Sequence, residues 1–388
     1  MSDGADDWAD VRVGDIGRVV TGRTPPSEQP GLFGRAYPFI TPGDMRQGRY
    51  ARRTERSLSP DGAAHLRRIE LPPNSVCVSC IGWQMGEVII TDRPSFSNQQ
   101  INTIIPNAGY EASFLYYSFR LRKQELLSLG SASGARTPIM NKSGFCGLKI
   151  RVPSLPIQRR IASILGSFDD LIEVNRRRIA VLEETARILF DEWFVYLRFH
   201  GKKDTGQVLP VRWRDGTLGD LLSLAYGRAL KATDRIEGAV PVIGSSGVVG
   251  YHNQALVERS GIIVGRKGNV GSIIWSPKPF FPIDTVFFVE SAYPSAYLVQ
   301  LLRRMPFQNS DAAVPGLNRN AALKLPVVIP PRDVVDSFES VVAPMQALVD
   351  ALHEANVRLG GSRDLLLPRL ISGELSLAAA ERELMAAA

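Results

Sequence analysis

The feature that most constrains the fold of this chain is an internal duplication, in which two β-rich segments are each followed by a long helical segment. The first copy has short apolar runs at residues 37–41, 75–82, 86–90 and 102–106, and then a helical stretch at 114–129. The second copy repeats this order at residues 240–244, 261–265, 271–274, 284–288 and 295–305. Short apolar runs bounded by Gly and Pro are typical of strands separated by turns. The sequence therefore predicts an α/β (α+β) fold with a pseudo-two-fold internal repeat.

After each copy the apolar pattern changes to a heptad period, which is typical of a helix that packs along another helix. In the first helical segment the pattern comprises Leu165, Phe168, Ile172, Asn175, Ile179, Leu182, Ala186, Leu189, Trp193 and Tyr196. In the second it comprises Val335, Phe338, Val342, Met345, Val349, Leu352, Asn356, Leu359 and Leu366. One such stripe is most often an ordinary buried face. Two stripes, each after a duplicated unit, favour two long antiparallel α-helices that join the β-rich domains.

Each stripe contains one asparagine, Asn175 and Asn356, where an apolar residue would pack better. A buried amide is costly unless it is hydrogen-bonded, and a polar residue in a helix seam fixes the register. We therefore predict a register in which Asn175 lies opposite Asn356. This register sets the following pairs opposite each other: Leu165 and Leu366, Ile179 and Leu352, Leu182 and Val349, and Trp193 and Phe338. Phe168 then faces Arg363 as an exception, and Pro344 is a candidate helix breaker.

The net positive charge is concentrated in two parts of the chain. The predicted domains 1–155 and 209–330 hold 19 basic against 14 acidic and 13 against 8 residues, whereas the helical segment 156–208 is nearly neutral and 331–388 is acidic. Two separated basic segments indicate two polyanion-binding surfaces. Arginine supplies 37 of the 46 basic residues. This bias suits bidentate contacts with phosphate and guanine, although a GC-rich coding sequence produces it too.

The cellular location is predicted from three simpler observations. Three cysteines in 388 residues do not suggest a disulfide framework. No apolar run approaches the roughly 18 residues of a membrane span. Residues 1–10 are acidic and lack the apolar stretch of a signal peptide. We expect a cytoplasmic protein that does not bind membranes.

Several stretches carry a family resemblance. Residues 155–165 read Leu-Pro-Ile-Gln-Arg-Arg-Ile-Ala-Ser-Ile-Leu, residues 168–175 read Phe-Asp-Asp-Leu-Ile-Glu-Val-Asn, and residues 189–194 read Leu-Phe-Asp-Glu-Trp-Phe. Residues 362–375 read Ser-Arg-Asp-Leu-Leu-Leu-Pro-Arg-Leu-Ile-Ser-Gly-Glu-Leu. The first copy opens with Val-Gly-Asp-Ile-Gly at 13–17 and Thr-Gly-Arg-Thr-Pro at 21–25. The chain thereby resembles the specificity subunits (S subunits) of type I restriction-modification systems over nearly its whole length.

This resemblance implies a function in DNA recognition. Target-recognition domains at 1–155 and 209–330 would each read one half of a bipartite, asymmetric double-stranded DNA site. The helices would hold these two domains a fixed distance apart. Two modification subunits would dock on the helices and methylate adenines with S-adenosylmethionine, and restriction subunits using ATP and Mg would cleave the DNA. The resemblance implies no cofactor, metal or catalytic residue in this chain itself.

Two alternatives remain open at the level of sequence. A single-chain restriction-modification enzyme would need an Asn/Asp-Pro-Pro-aromatic motif, which the nearest strings at 71–74 and 329–332 do not match. A common metal-dependent nuclease would need an acidic residue two positions before a lysine, and none of the nine lysines has one. Cys77 and Cys80 form one CxxC without further ligands, which favours core cysteines over zinc or redox chemistry. The second alternative is a coiled-coil scaffold whose basic domains bind something other than DNA.

Gly-flanked loops hold the candidate DNA contacts, because Arg, Lys, Asn, Gln and Ser read base edges and glycine lets the backbone approach DNA closely. Each of these loops also fits an ordinary surface. The predicted base contacts are Trp83, Gln84, Gln99, Ser133, Arg136 and Thr137 in the first domain, and Ser245, Ser246, Arg266, Lys267, Asn269, Asn318 and Arg319 in the second. The predicted phosphate contacts are Arg46, Arg49, Arg52, Arg53 and Arg56.

Overall fold

The computed structural model describes residues 8–26, 28–46, 48–132, 136–198, 212–307, 316–375 and Arg382. The chain divides into two compact units: unit 1 is residues 1–175 with 355–388, and unit 2 is residues 176–354. Each unit therefore contains one β-rich domain together with part of each long helix. This differs from the predicted division, in which the helices are separate segments, because each domain packs directly on the helix residues beside it.

Unit 1 begins with a β-rich domain that ends in a long helix. Its elements are β1 (Ala9–Arg12), α1 (Val13–Ile16), β2 (Gly17–Thr21), β3 (Phe33–Ile40), β4 (Arg56–Leu58), α2 (Pro60–His65), β5 (Val76–Ser79), β6 (Val88–Ile90), β7 (Phe96–Ser97), β8 (Ile101–Pro106), α3 (Ala112–Leu121), α4 (Lys123–Ser131), α5 (Lys142–Gly147), β9 (Lys149–Val152) and α6 (Leu155–Phe190). Unit 1 contains α6 up to Asn175.

Unit 2 has a shorter but comparable series. Its elements are β10 (Arg214–Thr217), β11 (Ser223–Tyr226), β12 (Val240–Gly244), β13 (Gly247–His252), β14 (Gly261–Gly265), β15 (Ile273–Ser276), β16 (Phe281–Pro282), β17 (Val286–Glu290), α7 (Ser295–Leu302), α8 (Arg319–Leu323), β18 (Pro326–Ile329) and α9 (Arg332–Ile371). Unit 2 contains α9 up to Glu354, and the rest of α9 belongs to unit 1. The helix α6 is followed by a wider π-helical turn at Asp191–Val195.

The two domains share one sheet topology, which confirms the predicted internal repeat. The four-stranded sheets have the orders β2-β8-β5-β6 and β11-β17-β14-β15. The three-stranded sheets are β4-β3-β7 and β13-β12-β16, and each domain also pairs its first strand with its last, as β1-β9 and β10-β18. Equivalent glycines follow β2 and β11: a Cβ on Gly22 or Gly227 would lie within 2.3 Å of a backbone carbonyl oxygen of an adjacent segment, that of Asn98 or of Ile283. Both positions therefore require glycine.

The central strands are apolar because they are covered on both faces. In β5, Val76 and Val78 pack into the main core with α3 and the helices, whereas Cys77 faces the smaller sheet. In β14, Ile262 and Val264 face the main core of unit 2 and Ile263 faces the opposite side. A strand buried on both faces has no polar alternation, so it appears in the sequence as a continuous apolar run.

Within unit 1, the predicted helix register is confirmed. The Asn175 Nδ2 donates to Asn356 Oδ1 at 3.0 Å, and Asn175 is buried. Arg363, the polar exception in the predicted seam, is buried and forms an ion pair with Asp169. The Asp169 carboxylate also accepts a 2.6 Å hydrogen bond from the Tyr117 hydroxyl. Burial would lower the pKa of Arg363, but the Asp169 carboxylate keeps it above the ordinary value. A buried arginine is thus stabilised where an apolar residue would be expected.

Within unit 2, the same register continues along the two helices. Ile179, Leu182, Val349 and Leu352 form one apolar cluster. The ring centroids of Trp193 and Phe338 lie 5.8 Å apart. The helix α9 runs through Pro344 without a break. No helix of the described residues is both long and apolar enough to cross a membrane.

Candidate nucleic-acid interface

In unit 1, one edge of the four-stranded sheet gathers the loops that carry predicted base contacts. The antiparallel order places the end of β2, the end of β5 and the start of β8 at this edge. Main-chain hydrogen bonds tie the loops together: the Cys80 amide donates to the Gln100 carbonyl at 2.8 Å, and the Gly82 amide donates to the Pro138 carbonyl at 2.9 Å. Residues 80–87, 98–100 and 136–140 therefore lie side by side at this edge.

Trp83 is the most exposed large apolar side chain of the described residues around this edge, at 73%. It lies in the β5–β6 connection between Gly82 and Gly86, whose φ angles are +92° and +83°. A Cβ on Gly86 would come within 2.9 Å of the Lys123 backbone, so this glycine allows the loop to lie close against α4. The contact with α4 thus holds in place the loop that presents Trp83.

The other predicted contacts of unit 1 have different surroundings. Gln99 is exposed, and its Oε1 accepts a 2.7 Å hydrogen bond from the Thr24 hydroxyl. Gln84 is half-buried, whereas Arg136 and Thr137 are exposed next to Pro138. Ser133 lies outside the described residues.

In unit 2, the equivalent edge is built by equivalent hydrogen bonds. The Arg266 amide donates to the Thr285 carbonyl at 2.9 Å, and the Leu317 amide donates to the Arg266 carbonyl at 2.8 Å. Cys80 makes the same two kinds of bond in unit 1, with Gln100 and Met140. Arg266 therefore occupies the position that Cys80 occupies in unit 1.

An aromatic side chain that the sequence analysis did not select lies at this edge. Tyr226 ends β11 and is 51% exposed. The Arg266 guanidinium carbon lies 5.0 Å from its ring centroid, and that of Arg319 lies 5.6 Å from it. The string Tyr-Gly-Arg at 226–228 repeats Thr-Gly-Arg at 21–23. This repeated string is the signal by which the position could have been found.

The predicted serine and asparagine contacts of unit 2 lie in different surroundings. The Ser245 hydroxyl accepts the Asn269 amide at 3.4 Å, and the Ser245 carbonyl accepts the Ser272 hydroxyl at 2.9 Å. Ser245 thus supports the β14–β15 connection, whereas Ser246, Lys267 and Asn269 are exposed.

Asn318 also has a structural role, because its side-chain oxygen caps a helix. The Asn318 Oδ1 accepts the Ala321 amide at 3.0 Å at the start of α8. At the equivalent place in unit 1, the Asn141 Oδ1 accepts the Gly144 amide at 2.8 Å. Helix capping explains an asparagine at both equivalent positions, and the base contact of the exposed Asn318 stays a prediction.

The predicted phosphate-binding arginines lie mostly in residues 41–55, which connect β3 to β4. The corresponding strands β12 and β13 are joined by Ser245 and Ser246 alone. The buried Asp44 organises this longer connection, because its carboxylate accepts the Thr41 amide, the Thr41 hydroxyl and the Glu55 amide at 2.7–2.8 Å. The arginine-rich connection is thus an insertion specific to unit 1.

Arg49 requires a correction. Its side chain is only 9% exposed and donates to Asp170 on α6 at 2.6 Å. Burial would lower its pKa, yet Tyr117, Tyr50 and Asp170 keep the pKa above the ordinary value of arginine. The buried guanidinium anchors the connection to the helix, so we withdraw Arg49 from the phosphate contacts.

The remaining four arginines of this set are exposed and differ in the partners that they contact. Arg52 lies 3.5 Å from Glu173, and Arg46 lies 3.6 Å from Glu87. Arg56 stacks with its guanidinium carbon 3.8 Å from the Phe33 ring centroid. Arg53 is exposed and has no ion pair among the described residues. Arg53 is therefore the arginine of residues 41–55 best placed to bind an anion.

The two cysteines of the CxxC are core residues, as predicted. Cys77 and Cys80 are 0% and 3% exposed. Burial raises the pKa of Cys77 to about 12 and that of Cys80 to about 11. Both thiols are therefore protonated and unreactive near neutral pH.

Comparison with known proteins gives consistent matches. A family model described as type I restriction modification DNA specificity domain matches residues 5–184 and 210–334. The type I restriction enzyme MjaIX specificity subunit of Methanocaldococcus jannaschii is 24% identical over 405 residues, which cover 95% of this chain and 94% of that protein. The HindI specificity subunit of Haemophilus influenzae is 33% identical over 162 residues, which cover 40% of this chain and 35% of that protein.

The fold has a known counterpart as well. The crystal structure of a type I restriction-modification system S subunit from M. genitalium has a TM-score of 0.63 and 18% sequence identity to this chain. The alignment covers 95% of this chain and 98% of that structure. At this identity the likeness concerns the fold.

Proposed function

Since this chain belongs to the type I restriction-modification DNA specificity family, as a specificity subunit and not a catalytic one, we propose that its two units each read one half of a bipartite, asymmetric DNA site. The observation that carries the proposal is the equivalent sheet edge of each unit. Both edges present exposed aromatic and polar side chains on loops fixed by main-chain hydrogen bonds. Rigid loops that bear such side chains suit the reading of base edges.

The charge distribution supports the same proposal. The two β-rich domains carry the basic excess, and the acidic excess lies in the last helical segment. Basic domains attract the phosphate backbone irrespective of sequence, and the side chains at the sheet edges then discriminate among sequences. The two edges differ in residue type, so the two half-sites should differ too.

The helices offer surfaces for the proposed modification subunits. Leu171 and Leu365 in unit 1 are 41% and 72% exposed, and the equivalent residues of unit 2, Leu348 and Ile188, are 49% and 47% exposed. Exposed apolar side chains on a helix are available to a docking protein. Because the two pairs are equivalent under the internal repeat, we assign one modification subunit to each. S-adenosylmethionine would then belong to the modification subunits, and ATP and Mg to the restriction subunits, in the cytoplasm beside the DNA.

Methylome sequencing tests this function directly. A host free of related systems would express the chain with and without a modification subunit of its type. We expect methylated adenines in an asymmetric, gapped motif only when both proteins are present. Methylation by this chain alone would support a single-chain enzyme, and co-purification with the modification subunit without DNA-dependent methylation would support a scaffold.

A further inference from the structure

The exposed ring of Tyr226 holds two guanidinium groups at the sheet edge of unit 2. Arg266 and Arg319 lie at 5.0 and 5.6 Å from its centroid, and Arg266 also lies 5.8 Å from the buried ring of Phe287. Stacking on an aromatic face limits the rotation of an arginine side chain and leaves its N–H edge free to donate. The Tyr226 ring therefore positions the two guanidinium groups without occupying their N–H donors.

The donors of these two arginines are largely unused. Arg266 Nη1 donates to the Asp284 carbonyl at 3.2 Å, and no bond to another described residue involves its Nε or Nη2. The Nε of Arg319 is buried and has no hydrogen-bond partner among the described residues. Neither arginine forms an ion pair with a described carboxylate, unlike Arg49 and Arg52 in unit 1. Donors that no described residue occupies are available to an acceptor from outside the chain.

The backbone beneath Arg266 is fixed from two sides. The amides of Arg266 and Lys267 both donate to the Thr285 carbonyl, at 2.9 and 3.0 Å, and the Arg266 carbonyl accepts the Leu317 amide. A side chain that is fixed at its base and stacked along its length loses little entropy on binding. A fork of parallel N–H donors matches the O6 and N7 acceptors of guanine in the major groove.

Resting on the proposed function, we infer that Arg266 reads a guanine in the half-site of unit 2, with Tyr226 as its positioning residue. Arg319 adds a second positive charge beside the electronegative guanine edge. In unit 1 the equivalent position is the buried Cys80, which offers no such donor. The guanine contact therefore belongs to one half-site only and contributes to the asymmetry of the whole site.

The test compares variants of the full chain in complex with modification subunits. The half-site of unit 2 is first identified as the half of the methylated motif that changes when residues 209–330 are replaced by those of a relative. We expect one fixed G·C pair in that half. Arg266→Ala should relax this position in the methylome and weaken binding to the guanine-containing site by about 5- to 150-fold, with little effect on a site that carries another base there.

Further variants separate reading from structural effects. Tyr226→Leu should reduce the discrimination at the same position and Tyr226→Phe should preserve it, whereas the half-site of unit 1 should stay unchanged in both. Arg259→Ala is the matched control, because this exposed arginine precedes β14 and Arg266 follows it.

Two results would overturn the inference while leaving the proposed function intact. One is a bipartite motif without a fixed G·C pair in the half-site of unit 2. The other is a uniform loss of affinity in Arg266→Ala with an unchanged motif, which would identify a phosphate contact. If the wild-type complex produced no bipartite motif at all, the proposed function itself would fail.

Discussion

At the scale of single residues, Trp83 is a position where a substitution should affect DNA binding without affecting the stability of the fold. Its side chain is 73% exposed between two glycines, so its removal exposes no core surface. We predict that Trp83→Ala leaves the free energy of unfolding within about 0.5 kcal/mol of wild type and weakens DNA binding by about tenfold. Chemical denaturation and fluorescence anisotropy with duplex DNA measure the two effects. Trp83→Phe, which keeps an aromatic ring, should bind more tightly than Trp83→Ala. Equal affinity of Trp83→Ala and wild type would exclude this tryptophan from the interface.

At the scale of elements, the helix pair contains the hydrogen bond between Asn175 and Asn356, and its interaction energy can be measured apart from the effect of each single substitution. In Asn175→Val, the Asn356 amide loses its partner, which should lower the free energy of unfolding by about 1–3 kcal/mol. Replacing both asparagines by valine should restore most of this loss, because neither position then holds an unpaired polar group. The measurement is a double-mutant cycle in urea, with Val174→Ala as the control at an exposed neighbouring position. Additive single effects would show that the two amides do not interact.

The connection between β3 and β4 allows a second prediction at this scale, because it contains two arginines in opposite surroundings. Arg53 is exposed, whereas Arg49 is buried against Asp170. Each phosphate contact contributes a slope of about −0.9 to the dependence of log affinity on log salt concentration. Arg53→Ala should flatten this slope by about one contact and keep the methylated motif. Arg49→Met should lower the thermal stability of the protein and keep the slope. The reverse assignment of the two effects would show that Arg49 reaches the DNA.

At the scale of the whole molecule, the repeat predicts independent reading by the two domains. Each domain has its own sheets, its own core and its own candidate edge. Exchanging residues 209–330 for those of a relative should therefore change one half of the methylated motif and leave the other half intact. Methylome sequencing of the chimeric complex provides the measurement. A change in both halves would contradict independent reading.

The repeat and the helix register followed from the sequence because they depend on spacing. A strand buried on both faces must be apolar throughout, so runs such as 261–265 were visible with their correct bounds. Likewise, a helix seam has a fixed period, so placing Asn175 opposite Asn356 was sufficient to set the whole register. Both features are determined by residues close together in the chain or by one periodic rule.

Only the tertiary structure decided which side chains remain free to bind. Arg49 and Arg53 are equally basic in sequence, yet a helix more than a hundred residues away supplies Asp170 to one of them alone. The side-chain oxygen of Asn318 caps α8, which leaves its amide nitrogen for another partner. Tyr226 became a candidate because β-strand pairing and a distant helix bring Arg266 and Arg319 to its ring. Sequence determines the chemistry that each residue can perform. Burial and partners decide whether that chemistry is available, because both arise from contacts between segments far apart in the chain.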